Sequence, residues 1–113
     1  MNITKITGTD GGLDYTRWEM TDGDEFIGMI DVHTSGLILN VEVADPHRGE
    51  GHARTLYETA AADATLYHVP AWGCTPEGEA FAAAMGGDTM DDDEAAEILG
   101  LVWDDEYQTY LAA

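Results

Sequence analysis

The sequence predicts a mixed α+β fold: an antiparallel meander of strands, then a parallel strand–helix–strand crossover, then two to three further helices. Three observations predict it. Residues 2–44 alternate apolar and polar side chains in short runs divided by turn residues. From Ala53 the apolar spacing lengthens to that of a helix. Beyond Thr75, two alanine-containing segments open on capping or acidic residues and close on glycine.

Residues 2–7 (NITKIT) alternate weakly and predict a short edge strand. GTDGG is turn chemistry, and residues 13–20 follow as a second strand in which Tyr15 and Trp18 are good strand formers. TDGD turns the chain again. EFIGMIDVHT is the third strand, with Phe26, Gly28, Ile30 and Val32 on one face. After Ser35-Gly36, LILNVEVA supplies the fourth, where Leu37, Leu39, Val41 and Val43 alternate with Ile38, Asn40 and Glu42. The helix that follows carries Ala53, Leu56, Tyr57, Ala60, Ala61 and Ala64 along one stripe and Arg54, Glu58 and Asp63 outside it. TLYHVP reads as a fifth strand closed by Pro70, and a return through that helix makes it parallel to the fourth. Thr75 caps the next helix, Pro76 suits its first position, acids fill its first turn, and Gly86 or Gly87 ends it. DDDEAAEILG repeats the scheme, with Ala95, Ile98 and Leu99 on one face and Gly100 as the stop. LVWDDEYQTYLAA fits either a helix begun at Asp104 or Asp105 or a hairpin turning there. The whole reads as a single domain over residues 1–113: strands in 1–44, a loop–helix–strand crossover in 45–74, and helices with an ambiguous last segment in 75–113.

Charge narrows the function classes. There are 23 acidic side chains against four fixed positive ones, Lys5, Arg17, Arg48 and Arg54, and the net charge is −19. Such a field repels nucleic acid and anionic lipid and attracts basic partners or cationic substrates. Acidic surfaces of this kind also serve solubility in salty or crowded cells. Cys74 is the lone cysteine, so no internal disulfide forms and cysteine-cluster zinc sites are excluded. MNITKITGTD has no apolar run fit for a signal peptide, and no window approaches a membrane span, so a cytoplasmic protein is expected.

Half of the fixed positive charge falls in VADPHRGEGHARTLYETA, residues 43–60, on either side of a glycine turn. The turn joins a strand end to a helix start, where backbone N–H groups lack partners and carry about half a positive charge. Gly49 and Gly51 allow close backbone approach, and Arg48 and Arg54 add charge-assisted donors. This combination predicts a cradle for phosphate oxygens. The alternative is a strand-to-helix turn whose glycines serve geometry alone.

The stretch Arg48-Gly49-Glu50-Gly51-His52-Ala53 resembles the cofactor-binding pattern of the GNAT acyltransferase family, Gln/Arg-x-x-Gly-x-Gly/Ala. EFIGMIDV is similar to that family's third strand, LILNVEVADPHRG to its fourth strand and loop, ARTLYETAAADA to the helix after it, and PEGEAFAAAMGG to a later helix. The resemblance implies a site for acetyl-CoA: loop amides from Arg48 to Arg54, through Gly49, Glu50, Gly51, His52 and Ala53, hold the pyrophosphate. It places the pantetheine arm in a splay between the fourth and fifth strands, beside Val43 and Ala44. The thioester would point toward Val41 and Glu42, and the acceptor would be a primary amine of a basic protein or a small amine.

Two departures set this chain apart from the pattern. Only GTDGG separates the first two strands where the family has two covering helices, so an acceptor pocket would be open or completed by a partner subunit, as in a homodimer. Where many members carry a tyrosine that protonates the departing thiolate, the count back from Gly86 gives Ala82, beside Phe81. Glu42 is the catalytic-base candidate on position, against the plainer reading of a solvated strand carboxylate. His47 and His52 flank the loop as contacts to phosphate or solvent; His33 and His68 are too scattered for a metal site, and no metal is expected. The DDDE run at 91–94 lacks calcium-loop spacing and reads as a cap. Tyr107 and Tyr110 would restore the acid if the tail folds back. The competing function is a GNAT fold without catalysis, an acidic interaction protein of the kind a bacteriophage uses to block a basic or DNA-binding host protein.

Overall fold

The alternation in the first third of the chain becomes a four-stranded antiparallel sheet. The structure is a computed structural model and describes residues 1–112. It divides into two compact units, Met1–Leu66 and the chain from Tyr67 onward. In the first, β1 (Asn2–Asp10), β2 (Leu13–Asp22), β3 (Glu25–His33) and β4 (Ile38–Val43) lie in the order β1-β2-β3-β4. Gly11 and Gly12, at φ +57° and +82°, form the two-residue turn between β1 and β2. This tight turn needs positive φ at both positions, so β1 runs to Asp10 rather than stopping at residue 7.

Register sorts the side chains. Lys5, Trp18, Ile30 and Val41 are successive partners across the sheet and share one face. Against β3, with support from β2 and β4, packs α1 (His52–Asp63), which buries Leu56 and Ala60 completely. Burying one leucine in this way stabilises by about 1.5–3 kcal/mol. The buried stripe is narrower than the sequence predicts, since Ala61 and Ala64 are exposed. Close approach is possible because β3 carries Gly28 under the helix. A methyl group there would lie 2.7 Å from the Glu42 carbonyl oxygen and 3.3 Å from Leu56 Cδ1. The far end of α1 is tethered by Lys5, whose Nζ sits 5.6 Å from the Trp18 ring and 3.5 Å from Asp63.

The fourth strand corrects one expectation. Its pairing with β3 shifts between Asp31 and Val32, leaving Leu39 without an opposite residue. The bulge sets Ile38, not Leu39, into the core, with Ile38 buried and Leu39 half-buried. On the sheet face away from α1, Arg17 grips its cross-strand partner Asp31 in a fork, Nε donating at 2.7 Å and Nη2 at 2.9 Å. That pairing holds the Arg17 guanidinium above its ordinary range.

In the second unit, β5 (Tyr67–His68) pairs in parallel with β6 (Asp88–Thr89), with α2 (Pro76–Met85) between them. The parallel crossover expected from the fourth strand through α1 to the fifth is therefore not the pairing found. The meander sheet ends at β4, and Pro70 with the 3-10 turn Ala71–Gly73 limits β5 to a two-residue ladder with β6. Buried His68 donates from Nε2 to the Gly86 carbonyl at 2.6 Å, and Phe81 meets its ring edge-on. After α3 (Asp92–Leu99), β7 (Leu101–Asp104) and β8 (Thr109–Ala112) form a hairpin, so of the two readings of the tail the hairpin is the one observed. Asp104 Oδ1 accepts from the amides of Glu106 and Tyr107, closing the turn. Tyr110 meets Trp72 at a tilt and Trp103 edge-on, at 4.6 and 5.2 Å between ring centres, and donates to Asp93 at 2.6 Å. Among the described residues no helix is long and apolar enough to cross a membrane.

Candidate functional site

The glycine loop leaves the sheet at the end of β4. Val43 pairs with Gly28, and the Ala44 amide still donates to the Ile27 carbonyl at 2.9 Å. A 3-10 turn, Asp45–His47, follows with Pro46 inside it. Its closing bonds use the amides of His47 and Arg48, which donate to Ala44 and Asp45. Gly49 and Gly51 then adopt φ +80° and +83°, a region in which only glycine is unstrained, and the space beside each Cα is open within 4 Å.

Gly51 is the N-cap of α1, and no side chain caps this helix. Nor does its first turn contain an acid, whereas α2 has Glu77 and Glu79 there and α3 has Asp92, Asp93 and Glu94. Of the three α-helices, α1 is thus the one whose first turn carries no carboxylate, with Glu50 just before its N-cap. Arg54 is exposed on that first turn. Arg48 is exposed as well, but it folds back toward the strand end: Nε donates to the Val43 carbonyl at 3.1 Å and lies 3.2 Å from Asp45.

Val43, Ala44 and Ala53 are half-buried, and Gly49, Glu50 and Gly51 are exposed. Glu42 is exposed and pairs opposite Met29. Since Val43 faces α1 through its Gly28 partner, strand alternation turns Glu42 to the other face of the sheet. The loop residues therefore come together, while Glu42 stands on the reverse side of the strand. In the second unit, Ala82 is half-buried in α2 and offers no proton. Tyr107 is exposed, and the Tyr110 hydroxyl is engaged by Asp93, a hydrogen bond that pushes its pKa up to about 12. Burial, with Glu79 nearby, pushes the Cys74 thiol up. Two carboxylates of the 91–94 run serve aromatic partners, Asp92 accepting from Trp72 and Asp93 from Tyr110.

Sequence reasoning missed the company kept by His47. Its Nε2 is hydrogen-bonded to Glu25, the first residue of β3, while Nδ1 lies 3.9 Å from Glu50 Oε1. His52 Nε2 lies 3.6 Å from Glu50 Oε2. The spacing His-x-x-Glu-x-His was visible; the approach of Glu25 from 22 positions away depends on the sheet.

Compared with protein-family models, curated proteins and solved structures, the chain has no match.

Proposed function

We propose that the protein is an acyl-CoA-dependent N-acyltransferase that carries an acetyl group from acetyl-CoA to a primary amine of a basic protein or a small amine. The observation that carries this reading is the start of α1: an uncapped N-terminus without first-turn acid, reached through two positive-φ glycines, in a protein of net charge −19. Diphosphate oxygens would accept from the amides of the loop and first turn, with Arg48 and Arg54 adding charge. The pantetheine arm would lie beside Val43 and Ala44. β4 is the edge strand of its sheet, and an edge offers amide and carbonyl groups to an extended ligand. The acceptor nitrogen attacks the thioester carbonyl, its proton passes to solvent because Glu42 stands on the reverse face of β4, and the thiolate leaves to be protonated by solvent, since Ala82 supplies no acid.

Calorimetric titration with coenzyme A tests the loop. Arg48→Glu and Gly51→Asp are each expected to weaken binding roughly tenfold or more, the equivalent of one charge-assisted hydrogen bond. Absence of binding at millimolar coenzyme A, or binding indifferent to both changes, rejects the assignment.

A second reading, an acidic interaction protein without catalysis, has its own observation. Val102, Trp103, Tyr107 and Leu111 are exposed on and around a hairpin that also carries Asp104, Asp105 and Glu106. Salt-sensitive quenching of tryptophan fluorescence by a lysine-rich peptide, lost in Trp103→Ala and accompanied by no coenzyme A binding, would favour it.

A further inference from the structure

We infer that His47, Glu50 and His52 form a binding site for a borderline divalent metal ion, of which zinc is the representative, with at least one coordination position left to water or an external ligand. The inference shares Glu50 and His52 with the loop of the acyl-CoA reading but does not rest on that reading, because it is argued from side chains rather than from the loop amides.

One ligand atom from each of the three residues lies within 4.8 Å of the other two. The glycines make this possible: between His47 and His52 the chain turns through Gly49 and Gly51, bringing the two imidazoles to 6.2 Å between centres at an interplanar angle of 66°. Neither ring is free in solvent, the side chains being 22% and 10% exposed, so their orientations are fixed by packing.

Hydrogen bonding decides which atoms face the gap. Glu25 accepts from His47 Nε2, so Nδ1 is the ring nitrogen that faces the gap. Nδ1 faces a Glu50 oxygen at 3.9 Å, and the other Glu50 oxygen faces His52 Nε2 at 3.6 Å. Both gaps exceed a hydrogen bond, whose usual limit is about 3.2 Å. Two ligands bound to one ion at about 2.0–2.2 Å stand about 3.3–4.2 Å apart, depending on the angle between them. The two histidine-to-Glu50 separations fall within that span, and the three-atom set as a whole is looser, within 4.8 Å, so binding draws the ligands together. The hydrogen bond from His47 to Glu25 is also the arrangement by which a carboxylate orients a metal-bound imidazole and raises its basicity.

The donor set selects the ion. Two imidazole nitrogens and one carboxylate suit zinc, cobalt or nickel; magnesium and calcium call for oxygen ligands alone. Position at the start of α1 opposes a cation through the helix dipole, by about half a charge. Glu25 and Glu50 offset that term locally, and the net charge of −19 does so at longer range.

The experiment is calorimetric titration of the full chain with zinc chloride, without coenzyme A and in excess magnesium, which occupies ordinary surface carboxylates. One-to-one binding is expected. His47→Ala and His52→Ala should each weaken it roughly tenfold or more, and Glu25→Gln by about tenfold through loss of the orienting bond. His33→Ala and Cys74→Ser should leave it unchanged. As a readout on the unaltered protein, substoichiometric cobalt should broaden the imidazole resonances of His47 and His52 ahead of those of His33 and His68. No zinc binding in excess magnesium, zinc binding that survives the double change His47→Ala/His52→Ala, or cobalt broadening that is uniform over the four histidines would overturn the site. Zinc binding without coenzyme A binding supports the metal site and rejects the acyl-CoA reading; the reverse result does the opposite.

Discussion

The helices α1 and α2 are built on opposite terms. α2 carries the full set of local signals: Thr75 accepts from the Gly78 amide at 3.1 Å, Pro76 opens the first turn, Glu77 and Glu79 complement the dipole, and Gly86 closes the last turn. Yet none of its residues is fully buried. α1 has no capping side chain and no first-turn acid, and its N-cap glycine sits in the left-handed region, but Leu56 and Ala60 are completely enclosed. One helix is specified by its ends and the other by its middle. The lesson is functional. A helix held by its packed body leaves its N-terminus available for a ligand, while a helix held by its cap has already used those amides.

The largest way to break this contrast is through the middle of α1. Leu56→Ala should destabilise the protein by about 2–5 kcal/mol, read as a lowered denaturation midpoint. Phe81→Ala in the half-buried face of α2 should cost distinctly less; equal losses would mean that the two helices are not held differently. Next in size is the cap of α1. Gly51→Ala forces a side chain into left-handed backbone and should cost about 1–2 kcal/mol. If the mouth binds diphosphate, added coenzyme A should raise the melting temperature of wild type more than that of the Gly51 variant. Thr75→Ala should cost about 1 kcal/mol and leave any coenzyme A-dependent stabilisation unaltered. A Thr75 variant that loses ligand-induced stabilisation would show the two N-termini to be coupled.

The smallest effect concerns the tail. Tyr110 is held at a pKa of about 12 chiefly by its hydrogen bond to Asp93. Because the folded value lies above the ordinary phenol value of about 10, the stabilisation is fully present below pH 10 and is lost as pH rises through about 12. Ultraviolet titration should show one late-ionising tyrosine that disappears in Tyr110→Phe and moves toward the ordinary value in Asp93→Asn. A tyrosine set titrating uniformly near 10 would contradict the hairpin geometry.

What could be read in advance follows the range of the interactions involved. Alternation gave the four meander strands, and the i, i+3, i+4 spacing gave α1, because one element with one buried face imposes those periods. The α2 cap, its proline and its closing glycine were legible for the same local reason. The alternation read for residues 37–43 breaks at Leu39 because a bulge arises from the fit between two strands and leaves no mark in the period of either. The fifth strand was assigned to the wrong partner because a short ladder is chosen by tertiary packing, and TLYHVP carries no signal naming β6 over β4.

At the candidate site the division is the same. The loop is contiguous, so its glycines, its arginines and its place between strand and helix were fixed by the order of residues alone. Glu42's turn away from the α1 face, Arg48's return to Asp45, and the meeting of Glu25 with His47 were decided only when the sheet set its register. Local order determines which backbone shapes and periods a chain will accept; contacts between residues far apart in sequence are selected by the packing of whole elements, where many weak terms act together and no single residue type announces the result.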